Sequence, residues 1–243
     1  MIMWSLKELQ EVGSTQDLVR ELAAEGAAEG TVVVAKRQTA GRGRHGRAWV
    51  SPDGGLYMSL LLRPPSSPAL QTLTLTASLA VVRGIEDATG LKAQIRWPND
   101  VVIKDKKVAG VIAESSFTGA GLSFVIVGIG VNCNSSITSV DPSSPASNLA
   151  GELGRDIDIK HLRGSILEEF GTAYDEWLNG TDVIKLTRGV IRTIGRRIVI
   201  TMKSGQDLEG VAQDIDQTGG LLLVRNEREL VIHAEDVERL RES

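Results

Sequence analysis

Cysteine occurs once, at Cys133, in a chain of 243 residues. A lone thiol excludes any intramolecular disulfide and fits a protein kept in a reducing interior, so a cytoplasmic location is expected. Long apolar runs are missing too. Residues 125–131 are strongly apolar but are interrupted by Gly128 and Gly130, far short of a bilayer-spanning helix, and no membrane association is expected. Residues 1–8 lack the basic, apolar and small-residue order of a signal peptide. Basic excess is absent as well: 27 Lys and Arg stand against 31 Asp and Glu, for a net charge of -4 and a pI near 5.5. A general nucleic-acid binder would be basic overall, so DNA is not an expected partner. No internal repeat or low-complexity segment breaks the chain, and its length suits one large domain followed by a small one.

What the chain does have is a concentration of positive charge in one place. Residues 38–49 read Gln-Thr-Ala-Gly-Arg-Gly-Arg-His-Gly-Arg-Ala-Trp, with Arg42, Arg44 and Arg47 interleaved with Gly41, Gly43 and Gly46. Glycine lets backbone N–H groups approach an oxyanion, and guanidinium forks give bidentate contacts to carboxylate or phosphate. An anion-binding loop is one reading; a solvated basic loop, or an RNA-clamping G-x-x-G at Gly43 and Gly46, is another. The same glycines spell the dinucleotide fingerprint G-x-G-x-x-G, but that motif must open a helix. Residues 49–55, Trp-Val-Ser-Pro-Asp-Gly-Gly, cannot be one, so the dinucleotide reading is rejected.

Elements flank the loop in a recognisable grammar. Ser14 and Thr15 precede apolar positions at helical spacing, with Asp17 placed to favour the helix dipole, so a helix capped by Ser14 or Thr15 is predicted. Its N-terminus also suits a polar ligand. Valine-rich residues 31–36 predict a buried strand, residues 56–62 a second, and residues 70–89 a helix stopped by Gly90. Short strands at 93–97 and 101–103 sandwich Pro98, Asn99 and Asp100; a turn at 104–106 returns the chain through Lys107 and Gly110. Taken alone, Asp100 reads better as a turn residue and Lys107 as a solvated hairpin lysine than as parts of a site. Residues 122–132 predict a strand whose Gly128 and Gly130 invite close approach by a ligand or another backbone. Residues 135–147, rich in serine and proline, predict a long surface loop, and residues from Asp158 or Ile159 to Leu178 an amphipathic helix with Trp177 in the core. From Gly195 onwards short strands at regular spacing predict a small β-barrel.

Together, Gly13-Ser14-Thr15, Gln38-Thr39-Ala40-Gly41-Arg42-Gly43-Arg44, Arg47-Ala48-Trp49, Trp97-Pro98-Asn99-Asp100, Lys107-Val108-Ala109-Gly110 and Gly128-Ile129-Gly130-Val131-Asn132 resemble, in order and separation, the motifs of the biotin protein ligases. The resemblance covers nearly the whole chain. It implies an α+β fold: a central mixed sheet with packed helices, like the class II synthetase-type biotin/lipoate catalytic domain, over residues 1–192, then an SH3-like β-barrel over 193–243. It also implies a two-step reaction. ATP, with Mg²⁺, activates biotin to biotinyl-5′-adenylate, and biotin then passes to a lysine of a biotin carboxyl carrier protein, such as an acetyl-CoA carboxylase subunit. Carried over by position, Ser14, Thr15, Gln16, Gln38, Arg42, Gly43 and Gly110 resemble the biotin side. Trp49, Asn99 and Asn132 resemble the ATP side, and Arg44 and Lys107 serve both. Lys107, Arg44 and Asp100 resemble the catalytic set, Asp100 receiving the acceptor lysine. The metal is implied to arrive with ATP rather than in a protein-only site, and a homodimer through a sheet edge is typical of the resemblance.

Gln16 stands where asparagine is usual, His45 where arginine is frequent, and Arg96 where lysine often precedes Trp-Pro-Asn-Asp. Ser14-Thr15 follows only a short leader, so no winged-helix DNA-binding domain and no repressor role are expected. The rival readings are a lipoate ligase or octanoyl transferase, which the Arg-Gly loop and Trp-Pro-Asn-Asp disfavour, and a non-catalytic nucleic-acid module, which the acidic pI disfavours.

Overall fold

The computed structural model describes residues 2–65, 70–119, 121–136 and 145–242. In chain order the elements are β1 (Ser5–Val12), α1 (Thr15–Ala24), β2 (Thr31–Gln38), β3 (Leu56–Leu62), α2 (Leu70–Thr89), β4 (Gln94–Arg96), β5 (Asp100–Ile103), β6 (Lys106–Thr118) and β7 (Gly121–Val131). Helices α3 (Leu149–Leu153), α4 (Ile159–Leu178) and α5 (Val183–Thr187) follow, then strands β8 (Arg197–Met202), β9 (Asp207–Ile215), β10 (Leu221–Arg225), β11 (Arg228–Ile232) and β12 (Val237–Glu242).

The first seven strands form one mixed sheet in the order β1-β2-β3-β7-β6-β5-β4, with β1 parallel to β2 and the other neighbours antiparallel. Strand periodicity sorts β3 between two cores. Leu56, Met58, Leu60 and Leu62 join the main core with residues of α2 and α4, whereas Leu61 joins Val19 and Ala23 of α1 in a smaller one. Burying such side chains stabilises by roughly 1.5–3 kcal/mol each, so the two helical layers fix the sheet between them. Helix α1 covers only part of its face. On the remainder, Gly110 and Ile112 of β6 lie opposite Gly130 and Gly128 of β7, so three of four positions carry no side chain. That patch is the floor of the site.

The last five strands form an antiparallel sheet in the order β11-β10-β9-β8-β12, the strand set of the expected small barrel. It is stitched to the larger unit. Trp97 Nε1 donates to Gly219 O at 3.0 Å, the Trp97 N–H donates to Thr193 Oγ1 at 3.0 Å, and Gln71 Nε2 donates to Gly219 O at 2.6 Å. Buried Arg192 pairs with Asp105 and, at 2.9 Å, with Glu242.

Two elements escape sequence pattern. Strand β1, at a sheet edge, is exposed almost throughout and shows no alternation, and β12 lies beyond the regular strand spacing. Ser14 does occupy the N-cap position of α1, but its side chain makes no capping hydrogen bond, contrary to the expected cap. Helix α5 ends at Thr187, and Arg188–Val190 tightens into a 3-10 turn. Residues 137–144 of the predicted surface loop lie outside the described residues.

Candidate active site

The Arg-Gly loop starts where β2 ends and closes on itself. Isolated bridges pair Gln38 with Ser51 and Arg42 with Ala48, and the Gly43 N–H donates to Arg47 O at 2.6 Å. Arg44–Gly46 forms a single 3-10 turn with His45 at φ 55°, and no helix follows, as the rejection of a dinucleotide fold requires. Gln38 ties this loop to α1. Its Oε1 accepts from the Thr15 N–H at 2.8 Å and Thr15 Oγ1 at 3.0 Å, while its Nε2 donates to Ser51 Oγ at 2.9 Å. Thr15 Oγ1 also shares a hydrogen bond of 2.8 Å with Ser59 Oγ on β3.

Over the glycine floor sits Trp49. A Cβ at Gly130 would stand 2.6 Å from its Cε2 and Nε1, and one at Gly110 3.1 Å from its Cζ3; at Gly128 a Cβ would meet Gln16 Cδ at 2.8 Å. The glycines are thus required by close approach rather than by a strand bulge, since the β6–β7 register is continuous there. Gly130→Ala should push the Trp49 ring off the floor and cost about 1–3 kcal/mol of stability as overpacking. A thermal midpoint equal to the parent's would show that the loop yields freely.

A cavity of about 220 Å³ lies between loop, floor and the small sheet. Its wall includes Thr15, Gln16, Gln38, Arg42, Gly43, Arg44, Trp49, Asn99, Asp100, Lys107 and Gly110, together with Arg96 and Glu238. Eleven of the thirteen positions singled out from sequence therefore converge. The other two, Ser14 and Asn132, do not reach the wall. Ser14 is buried behind it with Oγ unpaired. Asn132 acts at a distance: its Nδ2 donates to Ser147 O at 3.0 Å, and residues 145–147 in turn bracket the Lys107 backbone.

Charge is organised in two clusters. Arg42 faces Asp17 at 2.8 Å and Glu114 at 3.5 Å. Its Nε lies buried without a hydrogen-bond partner, as do Gln16 Nε2 and Trp49 Nε1. Buried donors without partners cost about 1–3 kcal/mol each, so their gathering beside one cavity marks a surface built to be completed by a ligand. The second cluster is Arg96, Asp100 and Lys107. Lys107 Nζ is 2.5 Å from Asp100 Oδ1 and lies 5.1 Å from the Trp49 ring centroid; Arg96 Nη2 is 3.2 Å from Asp100 Oδ2. Burial opposes the charge on Asp100, but Lys107 and Arg96 outweigh it and hold the carboxyl below its ordinary range.

Sequence pattern missed the contribution of the small sheet. Arg44 donates to Ala234 O and, at 3.4 Å, to Val237 O and Asn99 Oδ1; His45 Nε2 meets Val237 O at 2.8 Å; Arg47 pairs with Glu238 at 2.5 Å. Burial lowers the pKa of both Arg44 and His45, so His45 resists protonation where it touches Arg44. Behind the loop, Arg42 to Gly46, Gln71, Glu114, Lys203, His233 and Glu235 line a second cavity of about 770 Å³.

The fold and the convergent site define the class: the chain belongs to the biotin/lipoate A/B protein ligase family, whose model matches residues 9–132, and the biotin protein ligase C terminal domain matches residues 193–238. Among particular proteins, it is 39% identical over 234 residues to the bifunctional ligase/repressor BirA of Bacillus subtilis, covering 93% of this chain and 71% of that protein. It is 32% identical over 244 residues to the biotin–[acetyl-CoA-carboxylase] ligase of Mycobacterium tuberculosis, covering 97% and 89%. Among solved structures, the biotin protein ligase of Aquifex aeolicus in complex with biotin and ATP superposes with a TM-score of 0.86 at 31% identity, covering 98% of this chain and 99% of that one.

Proposed function

We propose that the chain is a biotin protein ligase that activates biotin with ATP and transfers it to a lysine of a biotin carboxyl carrier protein. The observation that carries this reading is one cavity where unpaired buried donors stand beside the Asp100–Lys107 pair, in a chain of this family. In the first step the biotin carboxylate attacks the α-phosphorus; an O–P bond forms, and the bond to pyrophosphate breaks with its electron pair leaving on pyrophosphate. Two anions must meet, so fixed cations are needed where they repel. Lys107 bridges carboxylate and α-phosphate, and Arg44 stabilises phosphate charge. Thr15, Gln16, Arg42, Gly43 and Gly110 shape the biotin side, with Gln38 positioning Thr15 and Ser14 lying behind. Trp49 and Asn99 belong to the nucleotide side, and Asn132 supports Lys107 through residues 145–147.

No group of three or more His, Cys, Asp or Glu among the described residues gathers as a metal site. The cationic donor set suits phosphate oxygens, and Mg²⁺ carried on those phosphates would neutralise charge that the arginines do not reach. In the second step the acceptor amine attacks the acyl carbon. The N–C bond forms, the C–O bond to AMP breaks with its electron pair leaving on the phosphate oxygen, and two protons pass from the ammonium to solvent. Asp100 orients that ammonium. We place the domain boundary at residues 192/193, where Arg192 and Thr193 meet the small sheet. A cytoplasmic location, consistent with the single buried thiol, and a homodimer joined at a sheet edge complete the reading.

The deciding experiment is biotin-dependent exchange of labelled pyrophosphate into ATP with Mg²⁺, with lipoate as the control acid. Exchange with biotin alone is expected; exchange with lipoate, or with neither acid, would overturn the assignment.

A further inference from the structure

Asp100 holds two cations at once, one on each oxygen: Lys107 Nζ on Oδ1 and Arg96 Nη2 on Oδ2. They are not equivalent. Arg96 ends β4 opposite Asp100 on the ladder, its side chain is only 13% exposed, and the next residue, Trp97, is tied to Thr193 and Gly219 of the small unit. Lys107 is more open, at 25%, and carries its ammonium on a flexible four-carbon stem at the cavity wall. In the reaction proposed above, Lys107 must turn from Asp100 to the biotin carboxylate and the α-phosphate. That movement bares Oδ1 towards the cavity just when a second ammonium, the acceptor's, has to be received.

We propose that Asp100 Oδ1 is an exchangeable ammonium seat, held first by Lys107 and passed to the acceptor lysine once Lys107 engages the activated acid, with Arg96 the fixed positioning residue that keeps the carboxylate aimed. The inference rests on the roles given above to Lys107 and Asp100. Its consequence is an order of events. With Lys107 on Oδ1 and Arg96 on Oδ2, a third cation would meet the repulsion of both, so the acceptor lysine is disfavoured until the adenylate has drawn Lys107 away.

The charged groups facing Asp100 are Arg96 from β4, Lys107 from β6 and Arg44 from the loop, with Glu238 and Arg239 of β12 on the same cavity wall. Removing Arg96 takes away one of the cations that lower the Asp100 pKa, so ionisation of the seat should shift to higher pH. The test compares the parent, Arg96→Gln and Arg96→Lys in two assays: biotin-dependent pyrophosphate exchange, and single-turnover transfer from purified biotinyl-5′-AMP to a biotin-free carrier domain across pH. Transfer by Arg96→Gln is expected to fall about tenfold or more beyond any fall in exchange, with its acid limb moved to higher pH, and Arg96→Lys should recover most of the rate. A transfer profile superimposing on the parent's, or equal losses in both assays, would overturn the seat. Absence of exchange in the parent would overturn the ligase activity instead, so the two failures are separable.

Discussion

Replacing Lys107 by alanine is expected to slow biotin-dependent pyrophosphate exchange by about 10²–10³-fold, the range for removing one preorganised charge-stabilising group from a transition state. In the proposed reaction the lysine ammonium meets the charge that develops on the α-phosphate, a role that no neutral side chain can take over. The fold should survive. Breaking a buried ion pair usually costs about 3–5 kcal/mol because a charge is stranded, but Asp100 would keep Arg96 at 3.2 Å. Exchange assays beside a thermal melt decide the matter: an intact protein with undiminished exchange would remove Lys107 from the chemistry.

The second large effect is expected at Arg44. Its guanidinium joins the loop to Asn99 on one side and to the Ala234 and Val237 carbonyls of the small unit on the other. Hydrogen bonds from a charged group contribute about 1.5–3 kcal/mol each, so losing even one in Arg44→Gly should speed release of the adenylate by roughly tenfold or more. Freed biotinyl-adenylate acylates any exposed amine, so the variant should label a bystander protein that the parent leaves untouched. Continued labelling of the carrier lysine alone would mean that the loop does not retain the intermediate.

Much of this site was legible in the sequence because its chemistry demands rare residue types in fixed places. Three glycines on two strands, three arginines in six positions, and an Asp and a Lys on neighbouring strands are not what a core or a solvated face selects. Position is harder to read than type. Gln38 lies on the cavity wall, yet its amide serves Thr15 and Ser51, and Asn132 works through residues 145–147; side-chain partnerships of this kind depend on contacts across the fold that no spacing encodes. Arg96 stood out only as a departure from a motif, and its grip on Asp100 required the β4–β5 register. The small unit's strands were legible from their turns. That Ala234, Val237 and Glu238 hold the Arg-Gly loop was not, because backbone carbonyls leave no mark in composition.

The segment from Arg42 to His45 is a wall common to two cavities. For inhibitor chemistry this wall sorts molecules by reach. A compound confined to either chamber leaves the segment in place, whereas one long enough to fill both must first detach Arg44 from Ala234 and Val237. Growing such a compound should therefore show a dip in affinity at the length that first displaces the wall, with recovery only after the far chamber is filled. His45 lies at that threshold, its ring against Val237 O at 2.8 Å, so the depth of the dip reports how firmly the wall is held.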